Sequence, residues 1–341
     1  MRFSFGEIME LRKSTYFDDF RCIASACPDS CCKEWDVQVD AQSAAFYRGL
    51  PGPLGDRLRQ VLRDEDGETV MTIENDRCPM WRHDGLCQIQ AELGHDALCK
   101  TCRDFPRLTH NYGSFVEMGL ELSCPEAARL ILSSPAAPMV VEEVSGGEDP
   151  EYDTDAMDIL LETRAEALKI LESTVYPTEQ VLALLLVYGY QAQALLDGED
   201  APAFDPEAVL QQAAGMARKA DIGILAAFYA NLEILTQQWS DRLHNPIPAA
   251  TWSDRFRNLA RYGVERYWLQ AVSDFDLVGR VKLIVASCIL IHALGGELTA
   301  TAQLYSKEIE NDADNIEAIL DGAYASPTLT DDKLLGWLLL E

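Results

Sequence analysis

Basic residues are scarce: 28 Lys and Arg stand against 56 Asp and Glu, a net charge of −28. Affinity for nucleic acid comes chiefly from cations that neutralise phosphates, so this balance excludes a nucleic-acid partner. Long apolar runs are missing too. The longest, Leu283 to Leu294, has twelve residues and includes His292, whereas a membrane-spanning helix needs about 20. It reads as a core helix, and no membrane span is expected. The start, MRFSFGEIMELRK, puts Glu7 and Glu10 where a signal peptide needs uninterrupted apolar residues, so the expected location is the cytoplasm. No glycine-rich loop follows a strand pattern: Gly146-Gly147 lies in an acidic, irregular stretch and Gly295-Gly296 ends an apolar helix. A doubly wound fold that receives a nucleotide on such a loop is therefore not expected. Repeats with periods of about 20 to 50 residues are absent as well.

What is present is an ordinary globular composition, 48% apolar and 25% charged, in a chain of 341 residues. That length suits about two domains. Composition changes near residue 134. From 134 to 153, Pro, Gly, Ser and acidic residues dominate without a sustained period, which predicts an exposed linker. From 154 to 341 the pattern is helical throughout: helices are expected at 155–173, 179–196 with Thr178 as cap, 222–239, 252–269, 277–294, 298–311, 314–322 and 330–340. Asp205-Pro206-Glu207 opens a further one as cap, first-turn proline and dipole-matching acid. Residues 1–133 are less regular. Trp35 to Asp40 alternates as a short strand would, Val70 to Ile73 does so weakly, and helices are expected at 41–47, 55–64 and from Pro125. The fold class is mainly α: a small, irregular α+β cysteine-rich metal-binding domain, then an all-α helical domain.

Ten cysteines occur, and nine lie in the front half: Cys22, Cys27, Cys31, Cys32, Cys78, Cys87, Cys99, Cys102 and Cys124. Disulfides rarely persist in a reducing cytosol, so dense thiols favour ligation of a metal or cluster. Cys99 and Cys102 are spaced as a short loop needs to turn two thiolates toward one ion. Neighbouring side chains diverge, so Cys31 and Cys32 supply at most one ligand to a given centre. Structural zinc takes four ligands and is signalled by a doubled C(x2)C; one such pair is present, and nine thiols do not divide into fours. A four-thiolate iron-sulfur cluster tolerates irregular spacing, and both metals stay open on spacing alone. Pro79 and Gly85 frame a turn between Cys78 and Cys87, and Arg103 and Arg107 flank Cys102, where they either favour thiolates or pair with surface carboxylates. His83 and His95 read as turn residues, and Cys288 and His292, one helical turn apart, as core.

The segments CPDSCCKEWDVQVD, CPMWRHDGLCQIQAELGHDALCKTCRDFPR and ELSCPEAARLIL, spanning 22 to 133, closely resemble the flagellin lysine-N-methylase family, with weaker likeness at LYSKEIENDADNIEAIL. That family's front end is itself similar to small cysteine-cluster proteins of iron-sulfur or zinc type. The resemblance implies methyl transfer from S-adenosylmethionine to lysine amines of flagellin in the cytoplasm, with a [4Fe-4S] cluster held by the cysteines. Lysine has a reference pKa of about 10.4, so its attacking lone pair is mostly protonated at neutral pH. Within the matched region Asp104, Glu117 and Glu121 are the candidate general bases, with Tyr112 and Trp35 as candidate aromatic walls over a cation. The C(x3)C(x2)C signature of radical S-adenosylmethionine chemistry is absent. An iron left open by a three-cysteine set is one place for that cofactor. The acidic surface serves solubility and would also draw lysine-bearing flagellin. The competing reading is a non-catalytic zinc or iron-sulfur interaction module.

Overall fold

The computed structural model describes residues 7–33, 37–65, 67–75, 77–248 and 251–340. Seven strands occur among them: β1 (Glu7–Lys13), β2 (Val37–Val39), β3 (Leu62–Glu65), β4 (Glu68–Met71), β5 (Arg107–Asn111), β6 (Phe115–Leu120) and β7 (Val140–Gly147). The front half also carries helices α1 (Ala41–Gly49), α2 (Gly52–Val61), α3 (Gln88–Leu93), α4 (Lys100–Asp104) and α5 (Pro125–Ser133). Ten more follow: α6 (Thr154–Glu172), α7 (Thr178–Leu196), α8 (Pro206–Met216), α9 (Gly223–Tyr229), α10 (Gln237–His244), α11 (Asp254–Tyr267), α12 (Leu277–Leu294), α13 (Leu298–Tyr305), α14 (Ala313–Ala325) and α15 (Asp331–Leu339). The mainly α expectation holds.

A four-stranded sheet runs in the order β5-β6-β1-β7. Because β1 lies parallel to β6, the chain between them must cross over, and a parallel pair requires a long connection. Here that connection holds a separate module. Its core of Val37, Val39, Tyr47, Leu58, Met71, Met80 and Leu98 is distinct from the large core shared by the main sheet, α5 and the helical layer. The module's own small sheet has the order β2-β4-β3.

Strand β7 departs from the sequence reading, which treats 134–153 as a loose linker. It pairs antiparallel with β1 from Glu7↔Gly147 to Lys13↔Val140. As an edge strand exposed along most of its length, it buries no alternating face, so no hydrophobic period marks it. The helix expected at 222–239 is likewise two helices. Residues between them give their amides to side chains from afar: Glu308 accepts from the backbone N–H of Leu235 at 2.8 Å, and Asn315 Oδ1 from that of Glu233 at 2.9 Å. After α13 the chain widens into a π-helical turn, Ser306–Glu310.

Local rules explain the long helices. Asp153, Asp205 and Asp276 each accept N-cap bonds, at Ala156, at Glu207 and Ala208, and at Gly279. Helix α12 is long and apolar enough to cross a membrane, yet 94% of it is buried inside the protein, the position of a central core helix. It packs closely on α7: a Cβ at Gly189 would meet Val281 at 2.9 Å.

The main sheet is fixed to the helices by a buried ion pair. Arg164 on α6 donates through both Nη atoms to Glu117 on β6, at 2.7 and 2.6 Å, and the two side chains are 9% and 5% exposed. Substituting Glu117 with Gln leaves a buried guanidinium short of its anion. The expected cost is about 3–5 kcal/mol, read as a lowered urea midpoint with unchanged slope.

Asp40 joins the module's parts by capping α1 at Ser43 N, 2.9 Å, and accepting from Lys100 N at the start of α4, 2.8 Å. These amide bonds hold its carboxyl at about 2, below the ordinary carboxylate range near 4. A depressed folded-state pKa gives stability that is full above the unfolded value and lost as pH falls through the folded one. Asp40→Ala should therefore cost about 1 kcal/mol at neutral pH, and its deficit against wild type in urea unfolding should narrow as pH drops from about 5 toward 2.

Candidate functional site

Cysteines gather at the module's core by way of helix starts. Cys87 is the N-cap of α3, Cys99 of α4 and, in the large core, Cys124 of α5, none of them with a side-chain cap hydrogen bond, so each sulfur stands beside the first amides of a helix. The Cys87 thiol meets the N–H groups of Gln90 and Ile89, and that of Cys124 those of Ala127 and Glu126. The turn expected between Cys78 and Cys87 forms as read, with Gly85 at φ +81° and a Trp81–Cys87 bridge closing it. Backbone pairing brings the first group in: Cys78 N donates to Cys32 O at 2.7 Å.

Cys78 and Cys99 are buried in the module's core, with Cys32, Cys87 and Cys102 packed against it. Cys31 lies near enough to Cys27, Cys78, Cys87, Cys102 and Cys124 to oppose a negative charge on each. Cys22 lies beyond Cys27 and is exposed. Among the described residues no disulfide joins these cysteines. The Cys102 thiol bonds to Cys99 and draws the Cys99 thiol down to about 7, while the same contact holds the Cys102 proton in place. Burial pushes Cys78 and Cys124 up to about 12 and Cys87 upward. Contact with Cys32 raises Cys31.

Gathering in a core makes the thiols of Cys78, Cys87 and Cys124 harder to ionise, and a cationic centre reverses that penalty, since thiolates are the ligating form. Among the described residues no three His, Cys, Asp or Glu side chains already stand where one ion could be held. The donor chemistry, soft sulfur from Cys31, Cys32, Cys78, Cys87, Cys99 and Cys102 with amides aimed at it, fits a thiolate-bound metal centre. His83 and His95 are exposed. Arg103 pairs with Asp104 at 3.8 Å and Arg107 stacks over Phe20 at 5.3 Å. Cys288 is buried in α12, and His292 stacks flat on Trp252 with ring centroids 3.9 Å apart.

The three carboxylates proposed as bases fall in different places. Asp104 is exposed on α4 and paired with Lys100 at 2.6 Å. Glu117 and Glu121 belong to a buried polar network beneath the main sheet. Burial raises the Glu121 carboxyl, which accepts from Ser123 Oγ at 3.1 Å. Tyr112 stacks on Phe115 at 4.9 Å, and Trp35 lies outside the described residues.

Several members of this network carry no local sequence signal. On α11, Tyr262 and Tyr267 donate to Glu310 at 2.8 and 2.9 Å, Arg266 faces the same carboxylate at 3.5 Å, and Arg261 pairs with Glu265 at 2.9 Å. Burial raises the Glu265 carboxyl and both tyrosines. The available clue was spacing: Tyr262, Glu265 and Arg266 stand at i, i+3 and i+4, one helical face. His110 on β5 sits directly opposite Glu117 in the ladder. Its Nε2 is buried with no hydrogen-bond partner among the described residues, and burial, reinforced by Arg266, lowers its pKa. His110, Glu117, Gly119, Tyr262, Glu265 and Arg266 line a cavity of about 30 Å³.

No known family profile matches the chain, and no solved structure matches it. Among curated proteins it is 33% identical over 134 residues to the lysine-N-methylases of Salmonella typhimurium and Salmonella choleraesuis, a match covering 36% of this chain and 33% of each of those proteins. The chain thus spans about a third of the methylases' length. It is 34% identical over 136 residues to the flagellar biosynthetic protein FliU of Salmonella muenchen, covering 37% of this chain and 79% of that protein. On that coverage, the chain belongs to the family of the flagellar biosynthetic protein FliU.

Proposed function

We propose that the protein is a protein-lysine N-methyltransferase acting on flagellin, using S-adenosylmethionine as methyl donor and a [4Fe-4S] centre held by the module's cysteines. The observation that carries this reading is the identity to two proteins named lysine-N-methylase over 134 residues. The gathered thiols support the cluster: Cys32, Cys78, Cys87, Cys99 and Cys102 around the module's core, with Cys31 beside them. Such a centre, when bound, would supply the positive charge that keeps the gathered thiols in their ligating, ionised form. The chain's own part is to organise thiols through helix-start amides, to exclude water from the module's core, and to hold proton acceptors among buried carboxylates. A non-catalytic metal module remains the second reading, favoured by the absence of a glycine-rich loop for the cofactor.

Anaerobically purified protein should be brown and contain iron and acid-labile sulfide. Cys99→Ser and Cys102→Ser should lose most of that iron, while Cys288→Ala, altered in the helical core, should keep it. Zinc without iron would favour the second reading. Labelled methyl should pass from S-adenosylmethionine to flagellin lysines, and no transfer by the iron-loaded protein would sink the enzymatic reading. A net charge of −28 steers lysine-rich surfaces, so the initial rate at low flagellin should fall several-fold between about 50 and 300 mM salt.

A further inference from the structure

The cavity under the main sheet is separate from the thiols and lies between β5, β6 and α11. Its volume of about 30 Å³ equals about two waters, the room taken by the nitrogen and last methylene of a lysine. Three features of its wall suit that occupant. His110 Nε2 is a buried ring nitrogen with no partner among the described residues, an unsatisfied group that an N–H donor would satisfy. Glu265 is a buried carboxylate paired with Arg261 at 2.9 Å. Gly119 supplies the space: opposite Leu108 in the ladder, it would bring a Cβ no nearer than 3.7 Å to its neighbours, at Ser14 Oγ, so the missing side chain leaves room rather than relieving a clash.

We propose that this cavity seats the amine of the substrate lysine, with His110 Nε2 as the catalytic group that takes its proton and Gly119 as the residue that leaves space for it. The inference rests on the lysine-methyltransferase reading and extends it to a site. At neutral pH about one free lysine amine in a few thousand is unprotonated. Every charged group facing His110 bears on that ratio. Arg266 on α11 opposes a second positive charge. Glu117 on β6 favours one, but is bound by Arg164 from α6 and faced by Arg12 from β1 at 3.6 Å. Glu265 on α11 is shared with Arg261. An amine entering this half-buried site is therefore driven to shed its proton, and because burial and Arg266 oppose a lasting charge on the imidazole as well, His110 Nε2 takes the proton in transit and releases it to solvent. The freed lone pair then forms the N–C bond to the methyl of a sulfonium donor as the C–S pair returns to sulfur, leaving a methylammonium and a thioether.

The test uses the full chain, with n-butylamine as the probe and the imidazole nitrogen resonances of the five histidines as the readout. Butylamine should shift the His110 signals and not the other four, and Gly119→Val should abolish the shift; Gly119→Ala, a smaller filler, should weaken it if the valine variant folds poorly. With flagellin, His110→Gln should lower kcat at pH 7 on the order of a hundred-fold, and its rate should climb about tenfold per pH unit as solvent removes the proton instead. Intact methylation in Gly119→Val and His110→Gln, with no butylamine shift in wild type, overturns the site and leaves the methyltransferase reading standing. A butylamine shift in a wild type that never methylates flagellin overturns the base role of His110 along with that reading.

Discussion

The Glu117–Arg164 pair is where sheet meets helix, and most of the architecture refers back to it. Glu117 lies on β6, which is parallel to β1 and antiparallel to β5. A one-residue slip of β6 would send its carboxylate to the opposite face and leave Arg164 alone in the core. Removing both charges from water costs several kcal/mol per ion, so the pair adds little net stability beside a hydrophobic substitute. Its contribution is to specify: only one register matches a two-pronged guanidinium with both carboxylate oxygens. Hydrophobic burial by Phe115, Leu120, Leu160 and Trp268 around it supplies the stability.

That division of labour explains how an irregular module can sit inside a parallel crossover. The β1–β6 pairing fixes both ends of the 37–104 segment, so the module has only to hold its own small core. With so little apolar area available, it places two cysteines, Cys87 and Cys99, at helix N-caps where Ser, Asp or Asn usually stand. A neutral thiol is a poor cap, so each of these helix starts gives up stability that a thiolate bound to a cation would restore.

Much of the helical layer was legible because its signals are local. Asp205-Pro206 and Asp276 carry cap chemistry in adjacent residues, and α6, α7 and α12 are long enough for composition to decide. The main sheet was not, since β1 pairs with strands more than 100 residues away and β7 has no buried face to pattern. The split between α9 and α10 depends on Glu308 and Asn315, which no window around 230 contains. The candidate site divides the same way. Clustered cysteines announce themselves by type, and Glu117 and Glu121 by position in the matched stretch. His110, Glu265 and Glu310 acquire meaning only from the partners that folding brings them.

The tail that resembles the family weakly, 304–320, earns its place through one turn. Asp29, between Cys27 and Cys31, pairs with Lys33 at 2.7 Å and Lys307 at 3.4 Å and accepts from Gln303 at 3.0 Å. Gln303 also donates to Ser123 O, beside Cys124, at 2.8 Å. Three residues past Lys307, Glu310 accepts from Tyr262 and Tyr267 on the helix that walls the cavity. An α-helical turn would place residues 307 and 310 on one face; the extra residue of the π-helical turn Ser306–Glu310 turns them toward different partners. The cysteine loop, through Lys307, and the polar network, through Glu310, are thus anchored to the same five residues.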